Sequence, residues 1–128
     1  MHIHQDVTIN APARAVYDLL LDGKLFGEMT GGREAQISSE IGGASSLFGG
    51  AISALNVELV PGKRVVQAWR SNDWPEGVYS IVRFELTADG KATKLSFDQG
   101  GHPDAATEML ATGWHQMYWE PMAKMLAG

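Results

Sequence analysis

Four histidines, one carboxylate within an apolar run and a scattered set of aromatic and methionine side chains are the groups of this chain that could do chemistry. His2 and His4 alternate at the N-terminus, a spacing that suits weak chelation. His102 stands in a Gly-Gly-His-Pro turn and His115 beside Trp114. Zinc needs three or four converging donors. The chain has no His-Glu-x-x-His pattern, no carboxylate at ligand spacing from His115 on one helical face, and no cysteine. No metal site is expected, and His115 reads as a helix-flank histidine rather than a general base. Glu58 lies in the alternating run Leu55-Asn56-Val57-Glu58-Leu59. Buried, it would have a raised pKa and could move protons; solvated or paired with an arginine is the expected state. Ser45 and Ser46 precede Leu-Phe-Gly-Gly without a Gly-x-Ser-x-Gly elbow. The glycine pairs lack the lysine of a phosphate loop, so they read as hairpin turns. No catalytic residue is assigned.

The aromatic and methionine set says more. Phe26, Met29, Phe48, Trp69, Trp74, Tyr79, Trp114, Met117 and Tyr118 come from different parts of the chain, and Leu110 shares a helical face with Trp114. They could line an apolar pocket, with rings giving contact area and methionine giving adaptable packing, or fill a core. If Trp69 points inward, period two turns Gln67 and Val65 inward too. By the same rule Ser80, Val82, Phe84 and Leu86 face inward on the next strand, and Thr93, Leu95, Phe97 and Gln99 on the last. An apolar lining broken by Gln67, Ser80 and Gln99 has the form of a small-molecule site. Those three bonding to one another or to backbone is the alternative. One enclosed space between Trp69, Phe84, Phe97, Trp114 and Tyr118 is expected. Trp74, in the Asn72–Gly77 loop, is either a lid, a dimer contact or packing on the sheet rim.

The elements that must position these groups follow from periodicity. Ile3–Ile9 alternates and reads as a strand, with Asn10 as the expected cap of a helix over Ala13–Leu21. A short helix over Lys24–Met29 would turn Leu25, Phe26 and Met29 inward. Candidate strands then run over Glu34–Ser38, Ser45–Phe48, Ile52–Val60, Arg64–Arg70, Val78–Thr87 and Thr93–Gln99, separated by Gly and Pro turns. Asp104 is the expected cap of a last helix over Ala105–Leu126, with Leu110, Trp114, Met117, Tyr118 and Met125 on one face. Pro121 should kink it, because it cannot donate to the carbonyl of Met117. The order β-α-α-β6-α predicts one α+β domain over residues 1–128: a curved antiparallel sheet wrapped around a long C-terminal helix.

Composition bounds the function. With 15 acidic against 10 basic side chains the formal charge is -5, which disfavours nucleic acid and polybasic membrane contacts. No apolar run approaches a membrane span of roughly 20 residues. With no leader-like N-terminus, a cytoplasmic location is the default expectation.

Two stretches are distinctive: SLFGGAISALNVELVPGKRVVQAWRSNDWPEGVYSIVRFEL and GWHQMYWEPM. Together they resemble bacterial single-domain proteins similar to the C-terminal domain of the activator of the heat-shock chaperone ATPase (Aha1-type), within the START-like, polyketide-cyclase and birch-allergen (SRPBCC) superfamily. The resemblance covers Val7 to Met125. It implies a helix-grip fold with a cavity between sheet and last helix, and it implies no single reaction. The chaperone activator carries a separate N-terminal domain that contacts the chaperone; nothing here corresponds to it, so chaperone contact is not the leading expectation. That reading is binding of a small apolar or amphipathic molecule without a cofactor. The alternatives are a cyclase, dehydratase or hydrolase using cavity polar groups, and a chaperone-linked stress protein; a homodimer is left open.

Overall fold

The computed structural model describes residues 2–127. Strand β1 (Ile3–Ile9) leads into helices α1 (Ala13–Leu21) and α2 (Gly23–Met29). Strands β2 (Ala44–Leu47), β3 (Ile52–Val60), β4 (Arg64–Ser71), β5 (Ser80–Asp89) and β6 (Ala92–Gly100) follow. They form one antiparallel sheet in the order β1-β6-β5-β4-β3-β2. Among the described residues five strands, not six, follow the helices: Glu34–Ser38 contributes a single bridge, Gln36 to Ser46. Its run is too short of paired neighbours to extend the ladder beyond β2.

The alternation read from the sequence places the core. Val65, Gln67 and Trp69, then Ser80, Val82, Phe84 and Leu86, then Thr93, Leu95, Phe97 and Gln99 are all buried on the inner face. Helix α1 covers one end of that face with Val16, Leu19 and Leu20, packing on β5 and β6. Asn10 does not cap it; Pro12 holds the cap position without a side-chain bond. Asp22 caps α2 instead, accepting from the amides of Lys24 (2.9 Å) and Leu25 (3.1 Å).

The C-terminal helix is continuous but not uniform. A 3-10 turn (Asp104–Ala106) opens it, so Asp104 lies inside the first turn rather than capping it. Helix α3 (Thr107–Trp114), a π turn (His115–Trp119) and helix α4 (Glu120–Leu126) follow. Pro121 is the physical cause nearest to hand: it removes a backbone donor just where the wider turn occurs. The Glu120 amide donates to the carbonyl of His115, five residues back. The His115 amide turns to the carbonyl of Thr112, and the carbonyl of Ala111 accepts from Gln5 Nε2 on β1 at 2.9 Å. A side chain of the sheet thus completes the helix where its own ladder changes pitch.

Candidate functional site

The π turn decides which side chains meet the sheet. Five α-helical residues rotate by roughly 500°, which would swing Trp119 away from Trp114. The wider turn brings the two indoles into a stack, 5.8 Å apart at 22°. Both are buried, as are Tyr118 and Met122. Uniform helical spacing therefore hides Trp119 and Met122 from a sequence reading; Pro121 was the available signal.

Each of the two stacked indoles is tied to a glutamine on the sheet. Trp114 Nε1 donates to Gln99 Oε1 at 2.7 Å. Gln99 Nε2 donates to Ser80 Oγ at 3.0 Å, and that hydroxyl donates to the carbonyl of Trp69 at 2.7 Å. Trp119 Nε1 donates to Gln5 Oε1 at 2.7 Å. Gln67 Nε2 bonds Asn56 Oδ1 at 3.1 Å, and Asn56 holds the carbonyls of Ser38 and Glu40. These polar groups are satisfied within the fold; none of Gln67, Ser80 and Gln99 reaches an open space.

The five rings expected around one enclosed space touch one another instead. Centroid separations are 4.2 Å for Phe97–Trp114, 4.3 Å for Trp114–Tyr118, 5.2 Å for Trp69–Trp114 and 5.3 Å for Phe84–Phe97. The open space lies beside this cluster. A pocket of about 250 Å³ is walled by Phe48, Trp69, Trp74, Leu110, Trp114, Met117 and Tyr118, with Arg33, Ala51, Ile52, Ser71, Met109 and Gly113 completing it. Phe84, Phe97 and Val82 belong to the packed core. Phe26 stands behind the wall, edge-on to Phe48 and Tyr118. Met29 faces a shallower hollow with Gln116 and Pro121. Tyr79 is exposed on the opposite side, under the Arg70 guanidinium at 5.7 Å.

Three local features border the pocket. The first is Gly113, a glycine inside α3 that costs the helix about 1 kcal/mol relative to alanine. A Cβ there would meet nothing within 4 Å, so packing does not require the glycine. The second is Phe48, whose φ of 53° puts a bulky residue in the left-handed region, followed by Gly49 and Gly50 also at positive φ. That conformation costs roughly 1–2 kcal/mol, and its ring is held by Phe26 and Tyr118. The third is the Asn72–Gly77 loop. Arg70 donates to the carbonyls of Trp74 (2.7 Å), Pro75 (3.3 Å) and Val78 (3.2 Å). Trp74 is thereby folded back, buried, edge-on to Trp69 at 5.9 Å.

The walls are mostly apolar. Trp69 Nε1–H is buried and makes no hydrogen bond of ordinary geometry. Burial pushes the Tyr118 phenol well above its ordinary pKa, with the nearby Trp69 N–H opposing the rise. His115 is exposed on the helix flank. Glu58 is paired with Arg64 at 2.9 Å on the outer face. His2 and His4 both bond Asp98, at 2.8 and 2.9 Å. Among the described residues no group of three or more His, Cys, Asp or Glu could hold a metal, and no helix is long and apolar enough to cross a membrane.

A six-stranded antiparallel sheet gripping a long, interrupted C-terminal helix, with an apolar pocket between them, defines a helix-grip domain. The chain belongs to the family described as Activator of Hsp90 ATPase homolog 1-like protein, whose sequence pattern matches residues 10–127. A curated relative, the Activator of 90 kDa heat shock protein ATPase homolog of Dictyostelium discoideum, is 38% identical over 82 residues, 63% of this chain and 21% of that protein. The chain spans about a fifth to a third of the length of the curated relatives it matches. Among solved structures, an HSP90 activator from Plasmodium falciparum superposes with a TM-score of 0.94 at 23% identity, over 99% of this chain and 96% of that one. The Aha1 dimer from Colwellia psychrerythraea gives 0.79 at 17% identity, over 94% and 92%. At these identities the likeness is one of fold.

Proposed function

We propose that this domain binds a small apolar or amphipathic molecule in the pocket between Trp69, Trp74 and α3. The observation that carries the reading is Gly113: a mid-helix glycine with open space at its Cβ position, on the wall of a mostly apolar pocket. No side chain in the wall has the partners of a nucleophile or general base, so binding fits the geometry better than turnover. The test uses N-phenyl-1-naphthylamine, a neutral fluorophore. The unmodified protein should bind it with quenching of tryptophan emission, and Gly113→Leu should abolish that binding while keeping thermal stability. Undiminished binding by folded Gly113→Leu would remove the pocket from the account.

A second reading is contact with a heat-shock chaperone of the 90 kDa class, favoured by the names of the relatives and by one feature of the outer sheet face. Leu55 and Ile81 pair across Ala68 in register, and with Val57 and Tyr79 they are about half exposed. Asn56 is the cause: its buried amide holds the Ser38–Glu40 loop, which turns Leu55 and Val57 to solvent. A chaperone-dependent rise in ATP hydrolysis on adding this protein, lost in Leu55→Asp/Ile81→Asp, is the expected result. No rise with the unsubstituted protein would dismiss this reading without touching the first.

A further inference from the structure

We infer that the pocket selects an anionic amphiphile, a medium-chain monocarboxylate, with its carboxylate on Arg33 and its chain against the tryptophans; this rests on the pocket reading above. Among the described residues, Arg33 is the one charged residue of the pocket wall. Of the five arginines, four are engaged by their side chains. Arg14 bonds Asp18, Arg64 bonds Glu58 and Glu85, Arg83 bonds Asp98, and Arg70 bonds the carbonyls of the Trp74 loop. Arg33 makes no such bond among the described residues, and its side chain is exposed at the mouth.

Of the other polar groups of the wall, Trp114 gives its N–H to Gln99 and Ser71 gives its hydroxyl to Asp73, while the Trp69 N–H is buried. The guanidinium is the charged donor at the exposed edge, in a planar fork that matches a carboxylate. In a chain of net charge -5, the overall field works against an anion. A local cation at the mouth is what a carboxylate ligand would need. Size sets the rest. A hollow of about 250 Å³ lies at the small end of ligand pockets, which suits a single short chain.

Displacement of N-phenyl-1-naphthylamine by octanoate, 1-octanol and octyltrimethylammonium at neutral pH and low salt tests the assignment. Octanoate should bind about tenfold tighter than 1-octanol, and octyltrimethylammonium more weakly than either. Arg33→Gln should bring octanoate down to 1-octanol or below and leave 1-octanol within twofold of the unmodified protein. Equal affinity of octanoate and 1-octanol in the unmodified protein, or a preference that survives Arg33→Gln, overturns the charge assignment and leaves the apolar pocket standing. Failure of all three to displace the probe, or of the probe to bind, overturns both.

Discussion

The two sides of the C-terminal helix are built by opposite rules, although barely one turn separates them. Under the π turn, Trp114 and Trp119 are stacked, buried and each hydrogen-bonded to a glutamine of the sheet. On the pocket side, the Trp69 N–H makes no hydrogen bond of ordinary geometry, Gly113 leaves open space at its Cβ position and Phe48 is held at positive φ. The first side spends its polar groups on one another and closes. The second carries local costs of propensity and strain at Gly113 and Phe48.

Breaking the closed side should have the largest effect. Trp114→Ala removes a buried ring that touches Trp69, Phe97 and Tyr118 and strands the Gln99 carbonyl. It should destabilise the domain by about 3–5 kcal/mol, measured by urea unfolding. A loss below 1 kcal/mol would mean that this region is not the fold's anchor.

The open side should respond in the other direction. Gly113→Ala adds a methyl group where nothing stands within 4 Å and raises helix propensity. A gain of up to about 1 kcal/mol is expected, together with weaker probe binding. Destabilisation on the same urea curve would show that the glycine is needed for packing.

The smallest effect lies on the outer face, remote from both. Hydrogen bonds with Asp98 and then Asp6 raise the His4 pKa above its ordinary 6.5. Burial works against ionisation of Asp98, but hydrogen bonds from His2, His4 and Arg83 outweigh it and hold that carboxyl at about 2. The histidine's contribution is full below 6.5 and is lost as pH rises through its raised midpoint. The carboxylate's is present above its ordinary 3.8 and is lost as pH falls towards about 2. The cluster thus stabilises most between those two ordinary values. Asp98→Asn should lower the His4 midpoint in an NMR titration, with little change in probe binding.

Much of this division is legible in the sequence. The bounds of β1, α1 and β3, and the inward faces of β4, β5 and β6, follow from period two and from turn residues. Seven of the aromatic and aliphatic residues singled out at that level (Phe48, Trp69, Trp74, Leu110, Trp114, Met117, Tyr118) do wall the pocket. What periodicity could not supply was depth. Phe84 and Phe97 alternate just as Trp69 does, and only the packing of Trp114 against them decides that they are core. Trp119 escaped because the π turn changes the angular step, and Gly113 and Arg33 because a glycine or an exposed cation shows its use only beside an open space. The Glu34–Ser38 strand failed for lack of a neighbour to extend its single bridge.

The four tryptophans allow the central contrast to be read in one experiment. Each contributes one indole N–H resonance to a ¹H–¹⁵N spectrum, assignable by single Trp→Phe substitutions. Titration with 1-octanol should shift the Trp69 and Trp74 signals progressively and leave Trp119, clasped by Gln5 under the π turn, where it was. A Trp119 shift as large as that of Trp69, or no shift at Trp69 and Trp74 at saturating 1-octanol, would contradict a closed side and an open side on one helix.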